Sequence, residues 1–268
     1  MQFTTQTKLE PVHNKFIEES AKYTGHVRGK LLKALLAKQK TKELKKEYIA
    51  KYGVTARQFN SLFAEVEGII KSVIELRKLH IEDIKIRISA LKKHIKELQK
   101  KLKESYPACG INGEKSPRKK LRFTIHQKKR RLFNLSAKLK KLEGNVSICL
   151  GGKKLFLAQY HLEENGYKFH DEWLKEWQAK RNNRIFYIGS KDERFGNQNC
   201  QLIGNKLHIR VIRKLEGRYG RDYVIENIAF PYGQDEIAQA LSRGQALSFR
   251  LVGKKKGWYL YLTTERKK

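Results

Sequence analysis

Three acidic clusters interrupt an otherwise basic chain. "HLEE" holds His161, Glu163 and Glu164, "HDEW" holds His170, Asp171 and Glu172, and "KDER" holds Asp192 and Glu193. Convergent carboxylates beside a histidine are what a hydrolase or nuclease needs to hold metal ions and activate water. Each cluster, however, sits at a helix start or a turn, where an acid caps the backbone or complements the helix dipole. In "KDER" ion pairing with the flanking cations is the simpler role. The glycines of "LGGKK" lack the four-residue spacer and the following Ser or Thr of a phosphate loop. Cys109, Cys149 and Cys200 stand far apart, with no CxxC pair, and the knuckle-like "YPACGINGEK" around Cys109 lacks its second cysteine. The expectation is therefore no catalytic residue, no metal ligand, no cofactor and no enzymatic activity.

Charge points to a different kind of chemistry. The chain carries 59 Lys and Arg against 27 Asp and Glu over 268 residues, a formal net charge of +32. Such an excess repels itself unless a polyanion neutralises it, and nucleic acid is the obvious polyanion. The densest stretch, "RKKLRFTIHQKKRRLFNLSAKLKK" from Arg118 to Lys141, has eleven Lys and Arg and no acid. A merely soluble helix mixes both signs. Arg118, Lys119, Lys120, Arg122, Lys128, Lys129, Arg130 and Arg131 are accordingly the first candidates for phosphate contact. Cations beside glycine turns and rings extend the set: Lys153 and Lys154 in "LGGKK", Arg181 and Arg184 in "RNNRIFYIG", Arg218 and Arg221 in "GRYGR", and Lys254, Lys255 and Lys256 in "GKKKG". The rings of Phe186, Tyr187, Tyr219, Trp258 and Tyr259 are candidates for stacking on unpaired bases. Trp173 and Trp177, four residues apart, read as helix packing.

Those side chains need elements to carry them. "QFTTQTKL" alternates Phe3, Thr5, Thr7 and Leu9 as a lone strand before Pro11. Helical periodicity runs from Phe16 to about Lys51 and stops at Gly53. Thr55 and Gln58 form a capping box, opening a helix expected to reach Glu104. Its second half carries a heptad seam of Ile84, Ile88, Leu91, Ile95, Leu98 and Leu102. After the break "SYPACGINGEKSP" a second seam answers it: Leu121, Ile125, Leu132, Leu135, Leu139 and Leu142, with Lys128 in the interrupted position. Two such stripes joined by a loop make a long antiparallel helical hairpin.

From Gly144 the pattern turns to short strands. "NVSICL" and "IFYIGS" read as strands around the helix "HDEWLKEWQAKR". "KLHIRVIR" and "DYVIENIAF" flank the turn "KLEGRYGR", and "ALSFRLV" pairs with "WYLYLTT" across "GKKKG". "GQDEIAQAL" reads as a short helix. The fold class is α+β: a small antiparallel β-barrel, joined by the N-terminal strand, with an inserted helical lobe. The division is 1-12 for the first strand, 13-143 for the helical lobe and 144-268 for the barrel. No run of eighteen apolar residues and no signal-peptide core is present, so no membrane association and a cytoplasmic location are expected.

The stretch from Lys120, "KLRFTIHQKKRRLFNLSAKLKKLEGNVSICLGGKKLF", through "RNNRIFYIGSKDE" and "GNQNC", resembles the front half of the transposon-encoded TnpB proteins, the OrfB group of insertion-sequence transposases. That family is similar to the type V CRISPR effectors. The resemblance implies that the β-segments form a wedge domain and the helices a recognition lobe, together holding a structured guide RNA and its paired DNA target. It also implies that a RuvC-like nuclease domain, opening on a Gly-x-Asp strand, follows the last wedge strand. Nothing of that kind follows Glu265. The expectation is thus the binding half of such a nuclease, truncated or split, with a separate nuclease-domain fragment as a further partner. The alternative is a stand-alone RNA- or DNA-binding regulatory protein of a mobile element.

Overall fold

The computed structural model describes residues 2–104 and 117–265. The stretch around Cys109, expected to hold no metal, and most of the inter-seam loop lie outside them. In chain order the elements are β1 (Gln2–Lys8), α1 (Asn14–Leu36), α2 (Thr41–Tyr52), α3 (Ala56–Glu104), α4 (Pro117–Glu143), α5 (Lys153–Leu157), α6 (His170–Arg181), β2 (Arg184–Tyr187), β3 (Cys200–Ile203), β4 (Lys206–Arg210), α7 (Arg213–Tyr219), β5 (Asp222–Ile225), α8 (Gln234–Ser242), β6 (Ser248–Lys254) and β7 (Gly257–Glu265). They fall into two compact units, residues 1–69 with 149–268 and residues 70–148. Helices α1, α2 and the first turns of α3 thus belong to the unit with the sheets, whereas the sequence division groups 13–143 as one lobe.

The fold is α+β, but the strands do not close into a barrel. They form two open antiparallel sheets, one ordered β1-β7-β6-β2 and the other β3-β4-β5. A barrel requires the edge strands to exchange hydrogen bonds, and β1, β2, β3 and β5 each pair on one side only. Between β2 and β3 the chain turns away through Phe195 and Gly196, both at positive φ. Gly196 is needed there, because a side chain would collide with the carbonyl of Gln245. Between β5 and β6 the chain is occupied by α8.

Strong alternation is realised where it is clearest in the sequence. On β7 the side chains of Trp258, Leu260, Leu262 and Thr264 are buried, with Tyr259, Tyr261 and Thr263 half-buried on the other face. The N-terminal strand joins this sheet, with Thr5 opposite Leu262 and Lys8 opposite Tyr259. "NVSICL", expected as a strand, has no strand structure. The "KLEGRYGR" turn folds instead as α7, although the strands flanking it pair as expected, Leu207 with Ile225. Strand β3 is an addition to the expected set, and it pairs with β4 across a tight Gly204-Asn205 turn.

The inner face of the sheets packs on α1 and α8. Phe16, Ile17 and Ala21 of α1 and Ile237 and Ala240 of α8 share a core with Ile185, Phe249, Leu251, Leu260 and Leu262. Gly25 and Gly29 on α1 let the chain after α6 approach, and a side chain at either would collide with Asn182 or Arg181. The region is tied by a buried ion cluster. Arg28, 1% exposed, lies 3.0 Å from Glu65, and Arg184 reaches the same carboxylate at 2.8 Å. Arg28 also donates to the carbonyls of Arg181 and Arg184. Burial lowers the pKa of the Arg28 guanidinium, and the charge of Glu65 opposes that shift.

Residues 70–148 build the hairpin. The capping box at the start of α3 is reciprocal, Gln58 N–H donating to Thr55 Oγ1 at 3.1 Å and Thr55 N–H to Gln58 Oε1 at 2.9 Å. Every expected seam position on α3 and α4 is buried or half-buried, Lys128 included, and Ile84, Ile95 and Ile125 are fully buried. The arms run antiparallel: Lys85 pairs with Glu143 at 3.3 Å, and Arg77 donates to the carbonyls of Leu142 and Gly144.

Candidate nucleic-acid interface

The two arms of the hairpin carry their charge differently. On α3 some exposed cations are neutralised from a neighbouring turn, Lys78 by Glu75, Arg87 by Asp83 and Lys100 by Glu104, while Lys92, Lys93 and Lys96 are exposed in a stretch without acids between Asp83 and Glu97. On α4 no acid stands between Arg118 and Lys141, and none of these cations has an ion-pair partner among the described residues. Lys119, Lys120, Arg122, Lys129, Arg130 and Arg131 are exposed. Arg118 is half-buried, and Lys128 is half-buried because its position belongs to the seam. Two apolar rings share this surface, Phe123 at 65% and Phe133 at 73% exposure. Neither is among the rings that the sequence puts forward for stacking. The signal is there, since both fall outside the heptad positions of the seam.

The candidates in the sheet unit divide into free and occupied. Lys153, Lys154, Arg221, Lys255 and Lys256 are exposed. Arg184 is occupied by Glu65 in the buried cluster. Arg218 binds Glu19 at 2.6 Å. The Arg181 guanidinium lies 5.2 Å from the Trp177 ring, and its backbone carbonyl serves Arg28. Lys254 reaches the rings of Tyr259 and Tyr261 at 4.7 and 5.2 Å.

Strand parity sorts the candidate aromatics. Tyr187 and Trp258 point into the core and are buried, so neither can stack on a base. Burial also raises the Tyr187 phenol and Cys200 thiol above their ordinary pKa values. Tyr219 packs edge-on against Phe16 with ring centroids 5.1 Å apart. Phe186 and Tyr259 lie on the outer face, accompanied by Tyr261, which joins the candidates because it has the same parity as Tyr259. Trp173 and Trp177 stack on each other at 5.6 Å, and Trp173 Nε1 donates to the Leu155 carbonyl, as helix packing requires.

The acidic clusters have structural partners. Glu193 pairs with Arg57 at 2.7 Å and accepts the Gln198 N–H. Glu172 accepts the Lys168 N–H just before α6. His161 and Glu164 face each other 3.6 Å apart, both well exposed. No group of three or more His, Cys, Asp or Glu placed to hold a metal occurs among the described residues. No helix among them is long and apolar enough to cross a membrane.

The words "GNQNC" and "FYIGS" serve the fold. In "GNQNC" the amide of Asn197, fully buried, donates to the carbonyls of Tyr187 and Leu247 and accepts the N–H groups of Asn199 and Cys200. In "FYIGS" Gly189 lies so close to the Leu247 and Gly196 carbonyls that no larger residue fits. No family model, no curated protein and no solved structure matches the chain.

Proposed function

We propose that this chain is a nucleic-acid-binding module, engaging structured RNA through the phosphate backbone along α4. The observation that carries the reading is the run of α4 from Arg118 to Lys141, which has eleven cations and no acid, whereas α3 pairs part of its charge with its own acids. An unneutralised array of this kind favours a polyanion that releases its counterions on binding. The resemblance to TnpB proteins extends the proposal to a guide RNA and its paired DNA strand, the role of the wedge and recognition regions in that family. The module is proposed to bind and not to cleave, which is supported by the structural employment of Glu172 and Glu193.

The test is the salt dependence of binding to a hairpin RNA between roughly 50 and 200 mM salt, where contact with several phosphates weakens affinity on the order of a thousandfold. Replacing Arg122, Lys129, Arg130 and Arg131 together with Gln should flatten the log–log slope by about 0.9 for each phosphate that is no longer neutralised, with the melting curve unchanged because all four are exposed. A flat response in the native chain, or an unaltered slope in the variant, would refute the reading.

A further inference from the structure

We propose that the solvent face of the four-stranded sheet is a stacking platform for an unpaired stretch of RNA. The proposal rests on the reading of the chain as an RNA binder but uses residues in the other unit. Strand register builds two rows across this face. One runs from Gln6 through Tyr261 and Arg250 to Phe186, and the next from Lys8 through Tyr259 and Val252 to Arg184. The three rings are half-buried while their inward neighbours Trp258, Leu260 and Leu262 are buried, so the rings belong to the surface and not to the core. Rings on one strand two residues apart are separated by about 7 Å.

Cross-strand rings also stabilise a sheet without binding anything, and the charges around them favour the ligand. The Arg250 guanidinium lies 5.3 Å from the Phe186 centroid, and the Lys254 ammonium lies near both tyrosines. Lys8 closes the second row, and the exposed turn adds Lys255 and Lys256. Neither row contains an acid, and Arg184 alone among its cations is neutralised, by Glu65. Flat π surfaces between flexible cations fit bases joined by phosphates: Lys254 can swing to a phosphate and leave its rings to the bases. Duplex bases are already stacked, so the occupant must be unpaired. Beside the rings, Thr4 and Thr263 share a hydrogen bond of 3.0 Å at the surface next to Gln6, hydroxyl and amide groups suited to a ribose 2′-OH.

The experiment measures binding of the full chain to a single-stranded RNA of about twelve nucleotides, the same sequence as DNA, and a hairpin RNA. The variant Tyr259→Leu/Tyr261→Leu keeps apolar cover on the sheet, and its melting temperature is recorded alongside. Loss of stacking should weaken single-stranded RNA binding about tenfold or more and leave hairpin affinity and its salt slope unchanged. Ultraviolet crosslinking of the native chain should attach the single strand to the peptide containing Tyr259 and Tyr261. Unchanged single-strand affinity in a folded variant, or crosslinks confined to α4, would overturn the platform while leaving phosphate binding by α4 intact. Equal affinity for the DNA strand would overturn the assignment to RNA. A chain that binds none of the three ligands overturns both proposals. Should the double variant fail to fold, Phe186→Leu supplies the same comparison from the neighbouring row.

Discussion

Arg28, Arg184 and Arg218 of the sheet unit and the cations of α4 each add one positive charge, yet they stand in opposite situations. Arg28, Arg184 and Arg218 each have a carboxylate within 3.0 Å, two of them sharing the buried Glu65. Arg122, Lys129, Arg130 and Arg131 have no acid within their own helix segment and are exposed. Charge count locates a polyanion binder only coarsely, and pairing decides which cations are available to a ligand. A buried pair is held by the cost of leaving either partner alone. An exposed, unpaired cation keeps its water and its counterion until a phosphate displaces them.

The largest effect should come from the buried cluster. Glu65→Gln leaves Arg28, nearly closed to solvent, and the partly exposed Arg184 without their counter-charge, and removing one partner of a buried pair such as Arg28–Glu65 costs about 3–5 kcal/mol. Chemical denaturation of the purified variant should show that loss. Replacing Arg28, Glu65 and Arg184 together with Met, Leu and Met should recover much of it, since a well-packed apolar substitute avoids the desolvation penalty. A Glu65→Gln protein as stable as the native chain would mean that the cluster is not a closed pair.

The hairpin should respond more weakly and locally. Among its described residues the fully buried side chains are Ile84, Ile95 and Ile125, so its seam is one layer deep. Ile125→Ala should cost about 2 kcal/mol, the low end of such truncations, because a shallow site relaxes or admits water. Hydrogen exchange should rise in α4 peptides and stay unchanged in peptides from β6 and β7. Uniform acceleration across both units would show that they unfold together.

What is legible in the sequence follows the range of the interaction. The capping box at Thr55 and Gln58, the two seams and the β7 alternation are set within a few residues, and each is realised. The antiparallel pairing across "GKKKG" is likewise local, Lys254 standing opposite Gly257. The Arg28 cluster is different, because its partners lie 37 and 156 residues away and no periodicity announces them. This is why Arg184 reads as a phosphate ligand from its neighbours alone, although Glu65 holds it. Barrel closure is illegible for a related reason: hairpin pairings between neighbouring strands are local, but whether edge strands far apart in sequence also pair is not, and here they do not. Strand β3 does carry a local signal, because Gly204-Asn205 between apolar alternations marks a hairpin. At the candidate site, the basic helix is legible from composition, whereas the outer sheet face requires the register that brings Phe186, Arg250 and Tyr261 into one row.

The smallest effect is expected where a sheet-unit pair resembles the hairpin surface. Lys206 and Glu226 are 2.6 Å apart, but both are largely exposed. The hydrogen bond and charge of Lys206 lower the Glu226 carboxyl below its ordinary value of 4.5, with slight desolvation acting against them. A carboxylate whose pKa is lower in the folded chain contributes stability above its unfolded pKa, and that contribution fades as pH falls through the folded value. Its window therefore lies in the acid range, below about 4.5. At neutral pH solvent and salt screen the pair, so Glu226→Gln should leave the melting temperature unchanged within error, in contrast to Glu65→Gln. Carboxyl titration followed by NMR should give Glu226 a midpoint below 4.5, rising toward that value when Lys206 is replaced by Gln. A large drop in melting temperature for Glu226→Gln would place this pair with the buried cluster. The division between held and available charge would then depend on position in the sheet and not on exposure.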